Sequence, residues 1–193
     1  MDGKPEYAKC SNKLVSALRE VVRLALLDQF PNPRMGSDEA EHLLDALHVL
    51  RLGRPELTLY DGFVHIVHRN WIDAIAVFEG LASQGKCMPG SKAMLAYCLN
   101  ASGNSDWRIV AGQMRDDDGS LTEDARLLLD SIELRADLQQ AQLDAQASGT
   151  FQVPESLGRL RERLGIRHPN EAVEGESAHA SFANAEEGQY LRL

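Results

Sequence analysis

Apolar residues recur along most of this chain at intervals of three and four positions, with polar residues between them. This spacing places the apolar side chains on one face of an α-helix. Alternation at every second position, which would indicate β-strands, is nearly absent. The pattern therefore predicts an all-α protein.

Capping residues and prolines divide the pattern into six short helices between residues 12 and 118. Polar caps and prolines are typical of helix starts, and Pro31 and Pro33 end the first helix. The residues expected at the six starts are, in order, Asn12, Ser37, Pro55, Asn70, Pro89 and Ser105. The face of the first helix that should turn inward carries Leu14, Leu18, Val21, Val22, Ala25 and Leu26.

Residues of matching size and polarity recur 34 positions apart in these helices, as in Leu44 and Phe78. A 34-residue period of helix–turn–helix units is typical of tetratricopeptide-like repeats, here about three helix pairs. Gly62 and Ala74 should lie where the two helices of a pair cross, and Trp71 and Phe78 should fill the space between successive pairs. An ordinary antiparallel bundle is the alternative. The residues expected to pack the repeats are Ala40, Leu44, Gly62, Trp71, Ala74, Phe78 and Ala96.

The last third of the chain differs from these repeats. Ser120 and Glu123 predict a capping box at the start of a long helix, from Leu121 to about Ala147. Its heptad-spaced Leu127, Leu134, Leu138, Ala141 and Ala145 could form a coiled-coil seam or pack on the last repeat. Pro154 should open a short amphipathic helix carrying Leu157, Leu160 and Leu164.

These patterns predict five segments along the chain. The expected divisions are a flexible N-terminus (1–11), a repeat domain (12–118), a long packing helix (119–148), a linker with a short amphipathic helix (149–167) and a disordered acidic tail (168–193).

Composition narrows the classes of partner and chemistry. The 193 residues carry a net charge of −9, which disfavours nucleic acid as a partner. The longest apolar stretch, Val21 to Leu27, is interrupted by Arg23 and is too short to span a membrane, and no secretory signal is visible at the N-terminus. No nucleotide-binding loop or catalytic motif occurs, and the histidine pair His65 and His68 lacks further ligands. We therefore expect no cofactor, no metal and no enzymatic activity.

The first helix of each predicted pair should line a concave inner face, as in other proteins of this repeat class. That face would be unusually apolar, and large exposed apolar patches mark partner sites. Alternatively, the long helix at 121–147 folds back and fills it. The candidate groove residues are Leu59, Phe63, Ile66, Val67, Tyr97 and Asn100.

Five segments of the chain are REVVRLALLDQF (19–30), EAEHLLDALHVLR (39–51), LYDGF (59–63), RNWIDAIAVFEGL (69–81) and SKAMLAYCLNASGNSDWR (91–108). In order and spacing these segments resemble the HrpK-like family of bacterial type III secretion proteins. The resemblance covers roughly residues 12–118. It departs from the family at Arg69-Asn70, where a basic residue followed by glycine is expected.

This resemblance implies an accessory component of type III secretion, needed for translocation and host interaction, with a tetratricopeptide-like fold and no enzymatic activity. It also implies that the protein is associated with the periplasm and with assembly of the extracellular pilus. Because no signal peptide is visible, the cytoplasm is the alternative location. The expected partner is a secretion-apparatus or pilus protein, with peptidoglycan or the envelope as a further candidate, and a homodimer is plausible. The second functional hypothesis is a cytoplasmic chaperone that holds a pilus, needle or translocator subunit before export.

Overall fold

The computed structural model describes residues 11–28, 30, 36–50, 54–117 and 121–166. Within them, all regular secondary structure is helical, as predicted. The eight described helices are α1 (Asn12–Leu27), α2 (Ser37–Leu50), α3 (Pro55–Val67), α4 (Trp71–Ser83), α5 (Gly90–Ala101), α6 (Trp107–Asp116), α7 (Glu123–Ser148) and α8 (Glu155–Arg163). The predicted acidic tail from His168 onward lies outside the described residues.

The first six helices form three consecutive pairs, α1/α2, α3/α4 and α5/α6, and each helix packs against the next up to α6. In addition, α1 packs against α3, and α7 packs against α5. The long helix α7 thus covers the first helix of the last pair, as a further first helix would. This is the arrangement of a helical repeat that ends in a covering helix.

Burial repeats at the spacing predicted from the sequence. Apolar side chains 34 residues apart occupy the interior together, which an irregular bundle would not require. The buried pairs are Ala40 and Ala74, Leu44 and Phe78, Leu47 and Leu81, and Val64 and Cys98.

The turns that end α3 and α5 repeat with the same period. The Asn70 and Asn104 N–H groups donate to the carbonyl oxygens of His65 and Leu99, five residues earlier in each case. This bond belongs to a helix-ending turn whose penultimate residue adopts a left-handed conformation. That residue is Gly103 in α5 (φ 80°) but Arg69 in α3 (φ 57°). Arg69 therefore occupies a position that favours glycine.

Gly62 is the point of closest approach between α3 and α4. A Cβ atom at this position would lie 2.5 Å from Cζ of Phe78, which is fully buried. The small residue predicted at the helix crossing is therefore needed there. Phe78, predicted to lie between successive pairs, has its ring against Gly62 and 5.8 Å from that of Phe63 (between centroids), both in its own pair. It also belongs to a buried cluster that includes Met94 and Cys98 of the next pair. Trp71 does reach the next pair, with its ring 6.4 Å from that of Tyr97.

Three predicted helix starts are shifted by one or more residues. Ser11, not Asn12, caps α1, and its hydroxyl accepts a hydrogen bond from the Leu14 N–H (3.3 Å). Asp106, not Ser105, is the N-cap of α6. Thr122 caps α7, where its hydroxyl accepts from the Ala125 N–H (3.4 Å). Polar residues stand side by side at each start, so composition alone does not decide which one caps.

The apolar face of α1 is narrower than predicted. Val22 and Leu26 are buried, whereas Leu14 and Val21 are exposed. Among the described helices, α1 packs against α2 and α3.

The buried face of α7 differs from the predicted heptad positions. Ala125, Leu129 and Ile132 are buried, whereas Leu138 is exposed. Because α7 is an ordinary helix of 3.6 residues per turn, the stripe that follows α5 and α6 drifts away from a seven-residue repeat. The long helix α7 therefore packs on the last helix pair, but through residues other than the predicted ones.

No helix among the described residues is both long and apolar enough to cross a membrane.

Candidate partner-binding surface

The inner face predicted from α3 and α5 divides into buried and accessible residues. Phe63 and Ile66 are buried, at 7% and 3% exposure, so both belong to the core in this structure. This corrects their expected place on an open groove, and the ring of Phe30 packs against that of Phe63. The half-buried residues of the predicted groove are Leu59, Val67, Tyr97 and Asn100.

Phe30 is the side chain that covers the middle of this face. It follows the end of α1, and its ring lies 5.5 Å from that of Phe63 and 5.4 Å from that of Tyr97. Trp71, from α4, contacts Tyr97 from another direction. Phe30, Trp71 and Tyr97 are all half-buried, so they form a partly accessible aromatic cluster across three helix pairs. We call these three residues the aromatic cluster.

The long helix also contributes to this region. Leu128 of α7 packs against both hydrophobic cores, together with Ile75, Leu95 and Tyr97. Part of α7 therefore packs on α5, one of the two helices of the predicted groove. Phe30 could not be predicted to lie in this cluster, because it stands next to the prolines that end the first helix and no neighbouring residue indicates a contact with Phe63, 33 positions away.

Burial governs the ionisation of the residues near the cluster. It raises the pKa of Tyr97 above its ordinary value, because desolvation disfavours the charged phenolate. It also raises the pKa of the Cys98 thiol to about 12. Cys98 therefore behaves as a small core residue and not as a nucleophile.

A polar contact joins α2 and α3. Nε2 of His48 lies 2.9 Å from Oδ1 and 3.0 Å from Oδ2 of Asp61.

His68 lies near Asp38 and Glu41, with one ligand atom of each within 4.8 Å of the others. These three side chains are exposed, and nothing beyond their proximity points to a metal.

A second polar cluster joins α6, α7 and α8. Nη2 of Arg115 donates to Oε2 of Glu133 (2.6 Å) and Oδ1 of Asp130 (3.2 Å). From α8, Nη2 of Arg159 donates to Oε1 of Glu133 (2.8 Å). Arg163 places its Nε 2.8 Å from Oδ2 of Asp130. The carboxylates are largely buried, at 15% exposure for Asp130 and 23% for Glu133.

Comparison with known proteins identifies a family. Residues 5–138 match the model of a family described as bacterial type III secretion protein, HrpB1_HrpK. The match spans the three helix pairs and the part of α7 that packs on them, and it ends before α8. No curated protein and no solved structure matches the chain.

Proposed function

The chain belongs to the HrpB1_HrpK family of bacterial type III secretion proteins, and we propose that it is a non-enzymatic accessory component that binds a partner protein through the inner face of its helix pairs. The partner would be a protein of the secretion apparatus, of the pilus or of the cell envelope. In this proposal the helical repeat supplies a rigid surface and no chemistry of its own.

The aromatic cluster is the observation that carries this proposal. Phe30, Trp71 and Tyr97 are large and partly accessible, and the rings of Phe30 and Trp71 each contact that of Tyr97. Aromatic residues supply much of the binding energy in protein interfaces, because they bury a large area with few rotatable bonds. The half-buried Val67 and Asn100 extend the same face.

The buried residues of this face are unsuited to a functional test. A Phe63→Glu substitution would place a carboxylate in the core, and an unpaired buried charge destabilises the fold. Loss of secretion in that variant would then report unfolding. At half-buried positions the new charge can reach water, and the fold of each variant is checked directly.

The test is complementation of a strain that lacks the gene, with secretion of a reporter effector as the readout. We expect Tyr97→Glu and Asn100→Arg to reduce secretion at least tenfold while the purified variants retain the helical circular dichroism of the wild type. Ile72→Glu is the matched control, because Ile72 is 81% exposed on α4, the second helix of its pair. Normal secretion by both inner-face variants would refute the proposed surface.

Fractionation separates the two hypotheses on the stage at which the protein acts. An accessory component of the envelope should be recovered in the periplasmic fraction and should crosslink to an apparatus or pilus protein there. A chaperone should remain in the cytoplasm, and its client should disappear from the cell when the chaperone is absent. The net charge of −9 is compatible with the chaperone, since it would keep an aggregation-prone client in solution.

A further inference from the structure

The short helix α8 is held on α7 mainly by charged side chains. Its buried residue is Ser156, while Leu157 and Leu160 are half-buried and Leu164 is exposed. A helix of nine residues is marginal in isolation, so its order depends on this contact. A helix bound in this way can exchange for another of similar chemistry.

The carboxylates that receive α8 are held in place by a residue outside it. Arg115 of α6 binds one oxygen of Glu133 and one oxygen of Asp130. The remaining oxygens, Oε1 of Glu133 and Oδ2 of Asp130, meet Arg159 and Arg163 of α8. Each carboxylate therefore keeps a partner and a fixed orientation when α8 leaves, and it presents its other oxygen to an incoming guanidinium. Such preorganisation favours binding.

The fit of α8 in this position is incomplete. Among the described residues, two buried side-chain atoms have no hydrogen-bond partner, and they are Oδ2 of Asp130 and Oγ of Ser156. Arg163 lies within ion-pair distance of Oδ2, but its N–H is not directed at that oxygen. Buried polar groups without hydrogen bonds are costly. A helix that directs a donor at Asp130 and places an apolar residue at the Ser156 position would therefore bind better than α8 does.

We propose that the face of α7 formed by Asp130 and Glu133 is a docking site for an amphipathic helix of a secretion partner, and that α8 occupies it when the partner is absent. The partner helix carries two arginines four residues apart, with leucines on the same face, as Leu157, Arg159, Leu160 and Arg163 do in α8. Charge complementarity and the imperfect seating of α8 support this occupant. The family match also includes Arg115, Asp130 and Glu133 but not α8. The identity of the partner as a secretion component rests on the proposed function.

The test uses the full chain and a synthetic peptide of residues 153–166. An Arg159→Glu/Arg163→Glu variant repels its own α8 from α7 and leaves the site open. We expect this variant to bind the fluorescein-labelled peptide, measured by fluorescence anisotropy, at least ten times more tightly than the wild type does. Adding Glu133→Gln to the variant should weaken binding at least tenfold. Absence of peptide binding to the open variant would overturn the proposal.

A matched control lies within the peptide. Among the described residues, Arg161 makes no ion pair, so a peptide with Arg161→Glu should bind nearly as well as the original. Peptides with Arg159→Glu or Arg163→Glu carry the same charge and should bind at least tenfold more weakly. Equal weakening by all three would show attraction by net charge alone and would refute a site for two spaced arginines.

Two further measurements cover the remaining outcomes. If the double variant does not fold, excess peptide should still accelerate hydrogen exchange of residues 155–163 in the wild type, and no acceleration would overturn the proposal. A dimer that exchanges α8, seen by light scattering in the wild type and lost in the double variant, would make the occupant a second copy and overturn the partner. Failure here would leave the inner-face proposal intact, because the peptide assay does not involve Tyr97 or Asn100.

Discussion

Gly62→Ala tests how closely α3 and α4 approach each other. The added methyl group would lie 2.5 Å from Cζ of Phe78 and 2.9 Å from both Cε atoms, closer than nonbonded carbon atoms can be. Phe78 has no exposed surface and is flanked by Phe63, so its ring has little room to move. One of the two helices must then shift.

The expected magnitude combines two opposing effects. Overpacking a core costs about 1–3 kcal/mol. Replacing glycine by alanine inside a helix returns roughly 0.5–1 kcal/mol. We therefore expect Gly62→Ala to lower the free energy of unfolding by about 1–2 kcal/mol, measured by urea denaturation at an unchanged m-value.

Gly80→Ala is the control, since no atom lies within 4 Å of the Cβ position there and only the helix preference applies. It should raise stability by roughly 0.5–1 kcal/mol. Adding Phe78→Leu to Gly62→Ala should cost less than the sum of the two single changes, because the shorter side chain makes room for the methyl group. If Gly62→Ala is as stabilising as Gly80→Ala, the close crossing described here is wrong.

The remaining predictions concern a turn, a thiol and the α6–α8 cluster. Arg69→Gly should raise the free energy of unfolding by about 1 kcal/mol, because it relieves the left-handed conformation. Gly103→Ala should lower the free energy of unfolding by about 1 kcal/mol, and changes of the same sign in the two variants would contradict the repeated turn. Burial raises the pKa of Cys98 to about 12 from its usual value, so the thiol stays protonated to a higher pH in the folded chain than in the unfolded chain. The free energy of unfolding should therefore fall between about pH 9 and pH 12. A Cys98→Ala variant should lose less stability over that range, and an identical pH profile would argue against the burial. Arg115→Ala should accelerate hydrogen exchange in α8 roughly tenfold, because the carboxylates of Asp130 and Glu133 lose their orientation. Arg108→Ala on the same helix should not accelerate it. Unchanged exchange in the Arg115→Ala variant would exclude the positioning role of Arg115.

The repeat could be predicted because the residues that form its pattern are close together in sequence. Ala74 and Phe78 lie one helical turn apart, and each has a counterpart 34 residues earlier with the same burial. Both the helical period and the repeat period therefore appear in a single pass along the chain.

The covering of the inner face could not be predicted in the same way. Phe30 and Tyr97 meet across three helix pairs, and nothing in the residues around either one indicates the other. The same holds for Arg159 and Glu133, which are 26 residues apart on separate helices. Arginine and glutamate are ordinary surface residues, so their type alone does not identify an ion pair between helices.

The most direct test of the proposed function is site-specific photocrosslinking in cells that are actively secreting. A photoreactive amino acid at Asn100 probes the inner face, and the same amino acid at Ile72 probes an exposed position on α4. We predict that the probe at Asn100 forms a crosslink to a protein of the secretion apparatus, pilus or envelope and that the probe at Ile72 does not. Equal crosslinking from both positions, or none from Asn100 while secretion proceeds, would contradict partner binding through the inner face.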